Sequence, residues 1–334
     1  MYSPFAQYRY ITPALIAWSV AVSVALMLVS DADPAILLVN WVLAGLMSLA
    51  IWHILARFDL RDGSDLKTFA ISWPMLTQTF DFSYCLLPHF DYLYKDYLLL
   101  VVLMGIATLM MGLWQDPQSI MRHMLTGLLA GVTSVVCPHA LLWILFVPFS
   151  CYCMRCWSTR NMMSALTGTL LGIWISYCGL YLVADADTAN HMIIRYASIL
   201  QDDDYGVILQ DMGLWQWLFF GLLLLMLVFY CICSFVLSVG QSIRSRGSIQ
   251  LISMLSLFAC LMLFFDFSHL SAYVCILGTF MGLQLTIHQM HIKSAINDWW
   301  TLLVIVASAM LCLLPYLSAD VFLPVAGLSS WLQL

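Results

Sequence analysis

The stretch ITPALIAWSVAVSVALMLV, Ile11 to Val29, decides the fold. It contains no charged residue. A helix of about 20 such residues, rising about 1.5 Å each, is what the ~30 Å hydrocarbon core of a bilayer requires. Residues 1–10 carry one charge, Arg9, and Ser30-Asp31-Ala32 resembles a cleavage site only weakly. The run therefore reads as a first spanning helix that is kept, not as a signal that is removed.

The rest of the 334-residue chain has the same character. It is 63% hydrophobic and only 9% charged, with a mean hydropathy of +0.93. An ordinary soluble domain carries about 25% charged residues, so a chain this apolar cannot clothe itself in polar surface and a bilayer is its expected solvent. Candidate spans are 11–30, 35–56, 68–90, 96–114, 123–137, 139–156, 162–183, 214–240, 250–268, 271–289 and 299–318. The expected fold is all-α: a polytopic transmembrane helix bundle of about 11 spans, with residues 1–334 forming a single integral membrane domain. Spans 123–137 and 139–156 are open to two readings, two full crossings or a re-entrant pair broken at Pro138.

Orientation follows from Lys and Arg in short loops. With the N-terminus in the cytoplasm, Arg9, Arg57, Arg61, Lys67, Arg122, Arg155, Arg160, Arg244, Arg246 and Lys293 fall inside, and only Lys95 and Arg195 fall outside. The longest outer loop is then 184–213, where Ile193, Ala197 and Leu200 recur at helical spacing; an interfacial helix ending at the aspartates and an unstructured loop are equal readings. The twelve basic residues are spread thinly, which excludes a nucleic-acid-binding stripe.

The run SCYCMRCWSTR, Ser150 to Arg160, holds three cysteines in six positions. At about 100° per residue on a helix, Cys151 and Cys153 point apart while Cys153 and Cys156 share a face. A structural zinc site wants four converging ligands, usually from paired motifs, and Cys231-Ile-Cys233 has the wrong spacing to be the second. Plain packing at a helix end is the expected role, with metal or redox chemistry the lesser alternative; no metal site and no cofactor is assigned. Three GxxxG motifs, Gly127/Gly131, Gly168/Gly172 and Gly278/Gly282, predict close internal helix packing.

All eighteen acids are aspartate, and the net charge is −6. Most of them fall in the predicted outer loops, where solvation alone explains them. A carboxylate inside a span is costly and usually faces a partner or a cavity, which singles out Asp81 in the triplet Asp81-Phe82-Ser83. The same triplet recurs at Asp266-Phe267-Ser268, followed by His269, and Cys137-Pro138-His139 forms a turn. The topology puts all three toward the outer side, with His89 nearby. Asp81, His139, Asp266 and His269 are the candidate catalytic set, as general bases or metal ligands with histidine partners.

Residues 128–172, LLAGVTSVVCPHALLWILFVPFSCYCMRCWSTRNMMSALTGTLLG, and residues 265–306, which open on FDFSHLSAYVCILG, resemble the central and closing blocks of an uncharacterised multi-pass inner-membrane protein family of Bacteroidetes bacteria. The resemblance implies location in the bacterial inner (cytoplasmic) membrane and a helical fold; the family has no established activity. The outward Asp/His set on a body with almost no soluble mass points to handling of a lipid-linked envelope substrate, such as a polyprenyl-linked glycan, at the outer leaflet. The alternatives are a non-enzymatic membrane subunit among other envelope membrane proteins, and a transporter or flippase. On this topology, cysteines placed singly beside Arg122 or Arg244 in a cysteine-depleted chain are expected to resist a membrane-impermeant maleimide in intact cells and to react after lysis; external labelling at either site would invert the map.

Overall fold

A computed structural model describes residues 8–30, 34–58, 60, 65–86, 93–116, 118–135, 137–183, 186–197, 214–263, 270–292 and 294–321. Among them there is no strand. The helices are α1 (Tyr8–Ser30), α2 (Pro34–Arg57), α3 (Asp65–Leu86), α4 (Leu93–Met111), α5 (Ile120–Thr133), a 3₁₀ segment (Pro138–Leu145) continued by α6 (Phe146–Cys153), α7 (Thr159–Val183), α8 (Ala186–Ala197), α9 (Leu214–Ser238), α10 (Ile243–Leu263), α11 (Leu270–His291) and α12 (Ala295–Val321). Each of the eleven expected spans falls on a helix. Six helices are long and apolar enough to cross a membrane: Ile11–Leu28, Pro34–Arg57, Thr159–Val183, Trp217–Ser238, Ile243–Leu263 and Leu270–His291. In the loop 184–213, whose sequence admits an interfacial helix or an unstructured segment, α8 forms over Ala186–Ala197 and packs on α7 with Ile193 and Ile194 exposed. Leu200 and the aspartates after it lie outside the described residues.

The bundle is built around α11. Every residue from Leu270 to Met290 is buried except His288, so α11 has no lipid-facing side, as an all-round apolar helix should not. It packs chiefly on α3, α9, α10 and α4. Against α3 the approach is at backbone range: a Cβ on Gly278 would fall 2.3 Å from Cγ2 of Thr79.

The closest pair is α5 on α7, and two of the GxxxG motifs make it. A Cβ on Gly127 would sit 1.9 Å from the Ala165 carbonyl oxygen, and one on Gly168 would sit 2.0 Å from that of Met124. Gly131 and Gly172 close the same seam, each meeting backbone of the other helix. Without side chains between them the two backbones touch, which is how helices gain dispersion energy where lipid supplies no hydrophobic drive.

The reading of residues 120–153 resolves into a hairpin. α5 runs one way, and the 3₁₀ segment with α6 returns the full distance, because Cys151 in the last turn of α6 lies beside His123 in the first turn of α5, 3.2 Å apart. The two legs are antiparallel and end together.

Replacing Gly127 or Gly168 by valine forces α5 from α7 and is expected to reduce the folded, monodisperse fraction several-fold in fluorescence-detected size exclusion. Gly179→Ala and Gly221→Ala, where an added Cβ meets nothing within 4 Å, should match the parent chain.

Candidate functional site

α3 is polar for a helix so deeply placed: Thr68, Ser72, Thr77, Gln78, Thr79, Asp81 and Ser83 are all buried. Ser72, Thr77 and Thr79 turn back on their own helix, for example Ser72 donating to the Thr68 carbonyl at 2.7 Å and Thr79 to that of Met75 at 2.6 Å. The longer groups reach outward to other helices. Gln78 accepts a hydrogen bond from Ser308 of α12, and Ser83 donates to the Ser271 carbonyl of α11 at 2.9 Å. Between them Asp81 faces α1 and α2.

The Asp81 carboxylate lies at the junction of four helices. Asn40 on α2 donates its amide to one carboxylate oxygen at 3.0 Å, and Ser23 on α1 donates its hydroxyl to the other. The Tyr97 hydroxyl on α4 donates to the Asn40 side-chain carbonyl, so the amide is used at both ends. Ser23 and Asn40 are 0% exposed, Asp81 1% and Tyr97 9%, which makes Tyr97 the member nearest the surface. Ser23 lies seven residues from the end of α1, Asn40 six from the start of α2, Asp81 five from the end of α3 and Tyr97 four from the start of α4. At about 1.5 Å per residue, all four sit ~6–10 Å below the same end of the bundle. A carboxylate so enclosed is held by charge-assisted hydrogen bonds in a low dielectric, where each bond is stronger than in water and its loss costs more.

A second polar group marks the opposite end of α3. Lys67 is buried and donates to the Gln289 carbonyl of α11 at 2.9 Å. The Gln289 side chain donates to Asp298 of α12 and accepts from Asn297. The His288 ring meets Asn297 at 3.2 Å and stands edge-on to Tyr230, with centroids 5.2 Å apart. Both ends of α3 are thus tied to their neighbours by buried polar groups.

Of the four residues proposed from sequence, Asp81 is placed as described. His139 is buried at the start of the 3₁₀ segment, among the core residues Cys137, Ala140 and Trp143. Asp266 and His269, with His89, lie outside the described residues. Ser23, Asn40 and Tyr97 carried no signal that ties them to Asp81, each being an uncharged polar residue on another helix. The sequence also missed a grouping at the other end of the bundle. The last turn of α6 pairs Cys151, not Cys153, with Cys156, because the helix stops at Cys153 and the helical projection fails beyond it. His123 joins the pair, and the three form a possible metal-ligand group.

No family model, curated protein or solved structure matches the chain. Function therefore rests on the site and on the surfaces around it. Two lateral apolar grooves flank the bundle. One, of about 440 Å³, lies between α4, α5 and α7 and is lined by Leu98, Val102, Val132, Leu180 and Val183 among others. It is at the Asp81 end, and Leu98 on its wall is the chain neighbour of Tyr97.

Removing Asn40 breaks two bonds at once and strands half the carboxylate. Asn40→Ala is expected to lower stability by about 1–3 kcal/mol, and Tyr97→Phe, which deletes one donor, by about 0.5–1.5 kcal/mol. Thermal unfolding of the detergent-solubilised chain reads the order; equal effects would mean the four groups do not act as one network.

Proposed function

We propose that the chain is an inner-membrane protein of about eleven spans with a cytoplasmic N-terminus, and that it handles a lipid-linked envelope substrate, such as a polyprenyl-linked glycan, at the outer leaflet. The observation that carries this reading is the Asp81 carboxylate, wholly buried and shared by four helices at outer-leaflet depth on the charge-derived topology. An ionisable group in a membrane segment is expensive and most often marks a substrate or ion pathway. The groove beside α4 supports a lipid-linked substrate in particular. It is apolar, opens sideways toward the acyl chains and lies at the same end as the carboxylate, so a chain can rest in the groove while its headgroup stays at the interface. Asp81 acts as base or electrostatic partner when the headgroup moves inward past Tyr97, which, at the edge of the network, is its nearest link to the groove. The resemblance of residues 128–172 and 265–306 to a multi-pass inner-membrane family fits this placement.

The test is Asp81→Asn, which keeps shape and removes charge, introduced at the native locus. Expected are a normal amount of protein in the membrane, loss of the surface-glycan or growth phenotype to the level of the deletion, and accumulation of a lipid-linked species in extracts analysed by mass spectrometry. A variant present at parental level and indistinguishable from the parent in all three would overturn the reading.

A further inference from the structure

At the end of the bundle away from Asp81, the chain brings together three side chains that sequence order keeps apart. α6 closes with the paired bonds of a Schellman turn: the Cys156 N–H reaches the Cys151 carbonyl at 3.0 Å and the Arg155 N–H reaches that of Tyr152 at 3.2 Å. Arg155 occupies the left-handed position, with φ 54°, where glycine is the usual residue. The turn is fixed from outside. The Arg155 guanidinium lies 6.0 Å from the Trp114 ring centre, and the Met154 carbonyl accepts the Gln115 N–H at 3.0 Å. Gly247 of α10 admits Trp114 and the Cys153 carbonyl so closely that a Cβ there would lie 2.6 Å from the indole.

This turn sets Cys151 and Cys156 side by side, and His123 faces them from the first turn of α5. His123 and Cys151 are 0% exposed and Cys156 is 1%. The imidazole is oriented: its Nδ1 lies 2.9 Å from the Ser119 carbonyl. A carbonyl only accepts, so Nδ1 carries the hydrogen, and in the neutral ring the Nε2 lone pair points at Cys151 Sγ, 3.2 Å away. The three potential ligand atoms all lie within 4.8 Å of one another.

We propose that His123, Cys151 and Cys156 form a zinc site that pins the base of the α5–α6 hairpin. The donor set is the one zinc takes, and Nδ1–H bound to a backbone carbonyl is the arrangement that ordinarily orients a metal-bound histidine. With Zn–S about 2.3 Å and Zn–N about 2.0 Å, ligand atoms sit roughly 3.6–4.0 Å apart around the ion, so the His123–Cys151 contact opens by only a few tenths of an ångström. Charge selects zinc over monovalent copper. Two thiolates neutralise Zn²⁺ and leave no net charge in the buried site, whereas Cu⁺ would leave one negative charge buried. Binding releases the two thiol protons to solvent. The three side chains fill three of zinc's four positions. The ion would join the start of α5 to the end of α6 by bonds far stronger than the packing of three small side chains.

The experiment is metal analysis of the full chain, purified in mild detergent from cells supplied with zinc. About one zinc per chain is expected, falling roughly tenfold or more in His123→Gln, Cys151→Ser and Cys156→Ser, and unchanged in Cys153→Ser, whose thiol is outside the group. Cobalt substitution needs no variant to fold: Co²⁺ added to the zinc-stripped parent chain should give an intense near-ultraviolet thiolate-to-metal band and visible bands of tetrahedral strength. The proposal is overturned by a parent chain that holds no zinc and gives no cobalt spectrum, by a Cys151–Cys156 disulfide in non-reducing peptide mapping, or by zinc that persists in all three ligand variants.

Discussion

Inside a bilayer a polar side chain has no water to fall back on, so each one on a buried helix must find its partner on another helix or on its own backbone. α3 is where this constraint bears hardest, and it organises the molecule. Ser72, Thr77 and Thr79 bond back to the preceding turn, while Lys67 reaches α11, Gln78 α12, Asp81 both α1 and α2, and Ser83 α11. Each bond fixes the rotation of α3 about its axis and the depth of a neighbour. Sliding α3 by one residue would turn Asp81 by about 100° and strand it against hydrocarbon. Dispersion packing alone tolerates such slips far better. The polar residues therefore specify the arrangement, and the apolar ones fill it.

The second device is the absence of side chains. Where α5 meets α7, glycines on both helices bring backbone to backbone, and this seam holds the short α5 in place although its length, about 21 Å at 1.5 Å per residue, is less than a bilayer core. The hairpin it forms with α6 stands on that seam, and the Schellman turn at its foot, with Arg155 in a conformation suited to glycine, is held by Trp114, Gln115 and Gly247.

Much of the fold is legible in the sequence because its signal is local. A run of apolar residues predicts a helix in lipid whatever surrounds it, so each of eleven stretches falls on one. Asp81 announced itself as a charge within a span. Its partners did not. Ser23 and Asn40 are 58 and 41 residues away on other helices, and only the packing of α1 and α2 on α3 brings them in. GxxxG gave the right kind of contact at α5 and α7 but not which helix would answer which. The pairing within the cysteine run was not legible for a different reason: helical projection assumes the helix continues, and here it ends at Cys153 with Arg155 left-handed, exchanging Cys153 for Cys151 as the neighbour of Cys156.

The central position of α11 has a consequence for how the chain is made. The helix on which α3, α4, α9 and α10 pack leaves the ribosome after all of them. Ser83 of α3 and the Ser271 it bonds are 188 residues apart, which at about 5–20 residues per second is roughly 10–40 s of synthesis. Through that interval the polar flank of α3 has no permanent occupant opposite it. A provisional neighbour must shield it, supplied by the earlier helices or by the insertion machinery, and must then yield its place when α11 arrives.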